Sequence, residues 1–148
     1  MQNESEPIIG FTIGDPNGIG PEVLIRALHY LYPFNKWQPL IFGDLEIIKE
    51  INKAVGTSFS YKPIPNNHNM PIEELDDSSC IPVIDLPVRK NRKWKLGLCS
   101  SWGGESAFKF FHNAILWANK GLIDAIVTSP LSKEALFSAG YNFTGHTE

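Results

Sequence analysis

Residues Ile13–Val23 read IGDPNGIGPEV, with three glycines, two prolines, and Asp15 and Asn17 set between them. The stretch separates a short apolar run from a segment of helical periodicity. A strand-to-helix connection needs only one or two turn residues, so this density asks for a reason. Glycines at 14, 18 and 20 let backbone amides approach a ligand without a Cβ in the way. Pro21 suits the first position of a helix, where its missing N–H costs nothing, and the amides at a helix start can hold an anion. The alternative is a tight turn that packs the helix onto a sheet. By spacing alone that alternative leads, because Gly14-x-x-x-Gly18-x-Gly20 is neither G-x-G-x-x-G nor a loop followed by Gly-Lys-Ser/Thr.

Working outward, Ile8–Ile13 is short, apolar and β-rich, as a buried strand would be. After Pro21, the residues Val23, Leu24, Ala27, Leu28 and Leu31 recur at helical spacing, and Pro33 stops the helix. PLIFGD predicts a second strand. Asp44 then reads as the N-cap of a helix with Ile47, Ile48, Ile51, Ala54 and Val55 inward, closed by Gly56. A weak strand is expected near Ser58–Lys62, followed by a Pro-, Asn- and Asp-rich surface excursion over 63–79. IPVIDL predicts a strand and Arg89–Ser101 a loop. A long helix is expected over Gly104–Asn119, with Ala107, Phe108, Phe111, Ile115 and Ala118 on one face, ended by Gly121. IDAIVTSP reads as the clearest buried strand, and LSKEALFSAG as a short helix behind it.

Strands alternating with amphipathic helices imply an α/β fold: a mostly parallel sheet with helices on both faces, three layers in all. Ligands of such sheets gather beyond the C-terminal strand ends. Gly14–Gly20 and Thr128–Lys133 are both expected there, and the terminal FTGHTE can join them. No internal repeat or interdomain linker interrupts residues 1–148, which read as one α/β unit.

Composition narrows the function. The 148 residues are 43% hydrophobic and 20% charged, with formal net charge −3, the balance of a soluble globular protein. The densest basic run, RKNRKWK at Arg89–Lys95, is short and reads as a solvated loop, so no nucleic-acid partner is expected. No apolar segment approaches the roughly 20 residues that span a bilayer, and the polar, acidic N-terminus resembles no leader. Cys80 and Cys99 are too few for a disulfide framework, which suits a reducing, cytoplasmic compartment. His29 and His112 fall in predicted helices and His68 in the polar excursion; no pair has the i, i+4 spacing of a helical metal site. Trp94, Trp102 and Trp117, with the phenylalanines at 108, 110 and 111, are too scattered for a base-stacking platform and are expected in the core or at a subunit contact.

Three stretches together carry a resemblance. GDPNGIGPEV, VTSPLSKEAL and AGYNFTGHTE, in that order, are similar to the G-[DE]-P-x-G-I-G-P, [TS]-[GS]-P-x-x-K and G-x-x-[FY]-x-G-H-T-E segments of the 4-hydroxythreonine-4-phosphate dehydrogenase family. The wider isocitrate and isopropylmalate dehydrogenase fold has a shorter G-D-G-I-G-P-E, without the equivalent of Pro16 and Asn17. The resemblance covers the whole chain but only the N-terminal half of the family. Its members are about twice as long, so the sequence looks truncated and its C-terminal half absent.

The resemblance implies NAD-dependent (or NADP-dependent) oxidation of 4-phosphooxy-L-threonine to a β-keto acid that loses carbon dioxide, in pyridoxal 5'-phosphate biosynthesis. A sister activity on a 4-phosphorylated threonate or erythronate is the nearest alternative. A non-catalytic fragment serving as a binding or dimerisation module is the other, and this chain by itself is expected to be inactive. By the same resemblance, His146 and Thr147 contact the phosphorylated substrate, as an imidazole and a hydroxyl can; the alternative is a disordered tail. Lys133 is a candidate for the substrate phosphate or carboxylate, against a solvated helix lysine. Asp15, Asn17 and Gly18 either line the substrate or cofactor cleft or shape the turn, and for Asp15 and Asn17 turn chemistry leads. The family binds a divalent metal such as zinc, magnesium or cobalt through three histidines, all expected downstream of Glu148, so no metal ligand is assigned here. A homodimer is expected on the same ground.

Overall fold

A computed structural model of the chain describes residues 6–32, 36–67, 80–89 and 94–142. In chain order the elements are β1 (Ile8–Thr12), α1 (Gly20–Leu31), β2 (Gln38–Gly43), α2 (Leu45–Val55), β3 (Tyr61–Ile64), β4 (Ile81–Asp85), α3 (Ser101–Asn119), β5 (Ala125–Thr128) and α4 (Lys133–Ser138). The strands form one five-stranded sheet in the order β3-β4-β2-β1-β5, and every pairing is parallel. This is the α/β sheet that the alternating pattern predicts.

The connections set the layers. The crossover from β1 to β2 moves one way along the sheet, and that from β4 to β5 moves the other way. Right-handed crossovers therefore place α1 and α3 on opposite faces. Accordingly α1 packs against α2, and α3 against α4. The adjacent strands β1 and β5 thus feed helices on opposite faces, which opens a crevice beyond their C-terminal ends.

The core lies on both sides of the central strands. Leu40, Ile41, Phe42, Val83 and Ile84 are fully buried, as are Ile47 and Ile48 from α2 and Phe110 and Ala114 from α3. Phe42 meets Trp117 of α3 edge-to-face, with ring centroids 5.9 Å apart. The α2 boundaries follow local chemistry. Asp44 accepts from the amides of Glu46 and Ile47, and Gly56 closes the helix in the left-handed conformation at φ 79°.

Five expectations are corrected. β5 is an edge strand, with Val127 47% exposed, because the crossover through α3 carries the chain past β2 and β1 to the outside of the sheet. On α3, which begins at Ser101, the inward stripe is Gly103, Ala107, Phe110, Ala114 and Trp117; Phe108, Phe111, Ile115 and Ala118 lie on its flank. Both stripes have helical spacing, and the two glycines, which admit close approach, decide which turns inward. Gly104 touches α4, where a Cβ would stand 2.1 Å from the carbonyl oxygen of Ala135. On α1, Val23 and Leu31 are exposed and Ile25 is buried instead; on α2, Ala54 is exposed. The third strand begins at Tyr61 rather than Ser58.

Candidate functional site

The β1–α1 loop and the β5–α4 turn meet at the crevice. The Asp15 amide donates to the carbonyl of Pro130 at 3.3 Å, and the Ser129 amide donates to Thr12 at 3.2 Å. Two of the three loop glycines are required by this contact. Gly14 has φ 71°, and a Cβ there would stand 2.3 Å from the Pro130 oxygen. A Cβ on Gly20 would stand 2.4 Å from the carbonyl oxygen of Ile13 and 3.0 Å from that of Pro130. Gly18 differs: its Cβ would find only the Asp15 oxygen at 3.4 Å and the Asp15 Cβ at 3.7 Å, ordinary contacts. Backbone packing explains Gly14 and Gly20 and leaves Gly18 free of steric demand, half-exposed beside the exposed Ile19.

Asp15 and Asn17 are both buried. Asp15 Oδ1 accepts from the Asn17 amide at 2.9 Å, and the Asp15 carbonyl accepts from the Gly18 amide, a turn built by the aspartate on itself. Asn17 then ties the loop to α3. Its Nδ2 donates to Ser100 Oγ at 2.9 Å, and its carbonyl accepts from the Gly97 amide at 2.7 Å. Ser100 caps α3 by accepting from the Gly103 amide. A Cβ on Gly103 would lie 2.4 Å from Asp15 Oδ1, so this helix start approaches the carboxylate as closely as glycine allows. Burial pushes the Asp15 carboxyl above the usual carboxylate range, opposed by the bond from the Asn17 amide. Asn17 Oδ1 is buried without a donor among the described residues.

On the other side, Lys133 opens α4 behind the N-cap Ser132 and is exposed. Cys99 Sγ lies 3.5 Å from Ser132 Oγ, which brings the end of the 94–100 segment to the same mouth. That segment, read from sequence as a plain loop, is the third wall of the crevice. Its one local signal was Ser100 ahead of a long apolar helical run, an N-cap pattern.

The structure therefore brings Asp15, Asn17 and Gly18 to one loop beside the turn that leads to Lys133. His146 and Thr147 lie outside the described residues, as does His68. His29 and His112 are exposed on α1 and α3. Among the described residues, no three His, Cys, Asp or Glu side chains converge on a point that could hold a metal ion, and no helix is long and apolar enough to cross a membrane. The described residues thus do not supply the metal site that the resemblance implies. Trp117 is a core residue, whereas Trp102 donates to the Val88 carbonyl and Trp94 to Glu50.

Comparison with known proteins gives the same answer from several directions. The chain is similar to the D-threonate 4-phosphate dehydrogenase of Cupriavidus necator, at 35% identity over 142 residues, covering 96% of this chain and 41% of that protein. Among solved structures it resembles a 4-hydroxythreonine-4-phosphate dehydrogenase from Burkholderia phymatum, with TM-score 0.82 and 32% identity over 96% of this chain and 42% of that one. A 4-hydroxythreonine-4-phosphate dehydrogenase from Klebsiella pneumoniae superposes with TM-score 0.78 at 29% identity, over 99% of this chain and 43% of that one. The chain spans less than half the length of each of these relatives. The family described as pyridoxal phosphate biosynthetic protein PdxA matches residues 35–148. A match over most of the sequence, joined to a shared parallel sheet, means that the chain belongs to the PdxA family.

Proposed function

We propose that the protein is a PdxA-type dehydrogenase that oxidises the secondary alcohol of a 4-phosphorylated four-carbon acid, with 4-phosphooxy-L-threonine as substrate in pyridoxal 5'-phosphate biosynthesis. The observation that supports this reading is the contact of Asp15 with Pro130, which joins two family motifs at the crevice between β1 and β5. NAD, when bound, supplies the hydride acceptor. The keto acid that results has its ketone β to the carboxylate, so it can lose carbon dioxide.

In this reading the residues of the chain position the reactants. Asp15 and Asn17 hold the loop against α3 and keep its backbone in one conformation. Lys133 places a positive charge at the mouth for the substrate phosphate or carboxylate. His146 and Thr147 supply polar contacts to the substrate. The protein works as a homodimer, and the metal ligands come from outside the described residues.

The Cupriavidus necator relative supports a second substrate, D-threonate 4-phosphate. That molecule carries a hydroxyl at C2 where 4-phosphooxy-L-threonine carries an ammonium, so the same oxidation at C3 applies. Assaying the full-length enzyme with each compound, NAD or NADP, and a divalent metal separates the two by kcat/KM. Failure to reduce the nicotinamide with both compounds would defeat the dehydrogenase reading.

A further inference from the structure

Beside the inward stripe of α3, Gly104, Phe108 and His112 follow one another at four-residue spacing, a single row along the helix. The row meets α4 and the chain that leaves it. Gly104 admits the Ala135 carbonyl, as described above. One turn later the Phe108 ring stacks on Tyr141, with ring centroids 3.9 Å apart and planes inclined by 18°. His112 stacks on the same phenylalanine at 5.6 Å. Phe108 is half-buried and outside the core stripe, so its ring is given to this contact rather than to the sheet. Tyr141 is also held by its backbone. Gly140 has φ 90°, its amide donates to the Phe137 carbonyl at 2.9 Å, and the Tyr141 amide donates to that of Leu136 at 3.0 Å. This pair of bonds closes a helix in the Schellman manner, in which the residue after the glycine commonly makes an apolar contact. Here that residue finds a flat ring on the neighbouring helix.

We propose that Phe108 is a positioning residue for the substrate-contacting segment: stacked on Tyr141, it fixes the chain as it leaves α4 and so governs the delivery of His146 and Thr147 to the crevice. This rests on the reading above that those two residues contact the substrate. The lengths suit it. The six residues of α4 start at the crevice mouth and rise about 9 Å, so Tyr141 marks the end remote from the mouth. His146 follows five positions later, at most about 18 Å of extended chain. With so short a tether, the direction of exit at Tyr141 constrains where the histidine can go. A segment anchored at its root also loses less conformational entropy when substrate orders it. Without the anchor, the substrate must order the segment itself, which lowers apparent affinity and leaves the chemistry unchanged.

The test compares the full-length enzyme with its Phe108→Ala, Phe108→Tyr and Tyr141→Ala variants. The unfolding midpoint checks that the fold is kept, and Phe108→Leu, which keeps apolar volume but loses the flat face, replaces an alanine variant that does not fold. Amide hydrogen exchange over residues 142–147 reads the anchor directly. It should quicken in the alanine variants and stay near wild type in Phe108→Tyr, which retains the ring. KM for 4-phosphooxy-L-threonine or D-threonate 4-phosphate should rise about twofold to tenfold in the alanine variants, the range of a lost aromatic pair, with kcat nearly unchanged. When His146→Ala and Thr147→Ala are already present, Phe108→Ala should add less than about twofold, because its effect passes through residues already removed. Unchanged exchange in Phe108→Ala would overturn the anchor, whichever compound the enzyme oxidises. Faster exchange with unchanged KM would overturn the positioning role, as would an equal loss with and without His146 and Thr147. Wild-type kinetics in the protein lacking both of those side chains would defeat the substrate-contact reading instead, and the proposal with it.

Discussion

The backbone amide of Asp15 donates to the carbonyl oxygen of Pro130 at 3.3 Å, joining a loop near the start of the chain to a turn near its end. The two segments follow adjacent parallel strands, β1 and β5, whose helices lie on opposite faces. A crevice there has the backbone of two loops as its floor, and small residues are needed wherever those backbones touch.

Gly14 and Gly20 should therefore be intolerant of a side chain, and Gly18 tolerant. Gly14→Ala combines a disfavoured positive φ with a clash against the Pro130 oxygen, and should cost about 2–4 kcal/mol of stability. Gly18→Ala should stay within about 0.5 kcal/mol. Urea unfolding of both variants checks the contrast. If Gly18→Ala is the more damaging, the account of the loop packing is wrong.

Asp15 should make stability depend on pH in an unusual direction. Its carboxyl is pushed above the ordinary value of 3.8 by burial, so the folded protein binds that proton more tightly than the unfolded chain. Its favourable contribution is complete below the ordinary value and is lost as pH rises through the folded one. Asp15→Asn keeps an oxygen to accept from the Asn17 amide and removes the buried charge. The stability of this variant relative to wild type should rise as pH increases past the ordinary value of 3.8, where the unfolded chain loses the proton that the folded protein still holds. Parallel pH profiles for the two proteins would show that Asp15 titrates as it does in the unfolded chain.

Asp44 is the busiest buried carboxylate among the described residues. One oxygen accepts from the amides of Glu46 and Ile47, and the other from those of Val88 and Arg89. It caps α2 and fixes the chain leaving β4 in the same stroke. Asp44→Ala leaves four amides without that acceptor and should cost about 2–4 kcal/mol. Asp44→Asn, which retains one acceptor oxygen, should fall between. Denaturant midpoints decide the order, and a loss under about 1 kcal/mol for the alanine variant would reduce Asp44 to an ordinary cap.

In the full-length enzyme, His146→Ala should lower kcat/KM for the phosphorylated substrate by about tenfold or more, with NADH affinity nearly intact. A lost polar contact that leaves its partner buried costs about 1–3 kcal/mol. Lys133→Ala should act chiefly on KM, with an effect that shrinks as ionic strength rises. Steady-state kinetics at two salt concentrations measures both, and wild-type behaviour would remove either residue from the site.

What sequence alone determined about this protein was mostly local. Asp44 and Gly56 mark the ends of α2 because a side-chain oxygen reaches amides two and three residues away, and because glycine alone takes a left-handed closing turn cheaply. The order of strands and helices was legible for the same reason, since period and turn residues act over a few positions. The three motifs were readable as letters in order, and they led to the family. Packing over long separations decided the rest. Two stripes of α3 had helical spacing, and the approach of Gly103 to the Asp15 carboxylate and of Gly104 to α4 chose between them. The apolar run IDAIVTSP reads as a buried strand but forms an edge strand, because its place depends on a crossover that periodicity does not encode. The 94–100 segment looked like spare loop, and only the bonds from Asn17 to Gly97 and Ser100 made it a wall of the crevice. Side-chain preference carries no information about which distant backbone a loop will meet; that is set when the sheet closes and brings the C-terminal ends of β1 and β5 together.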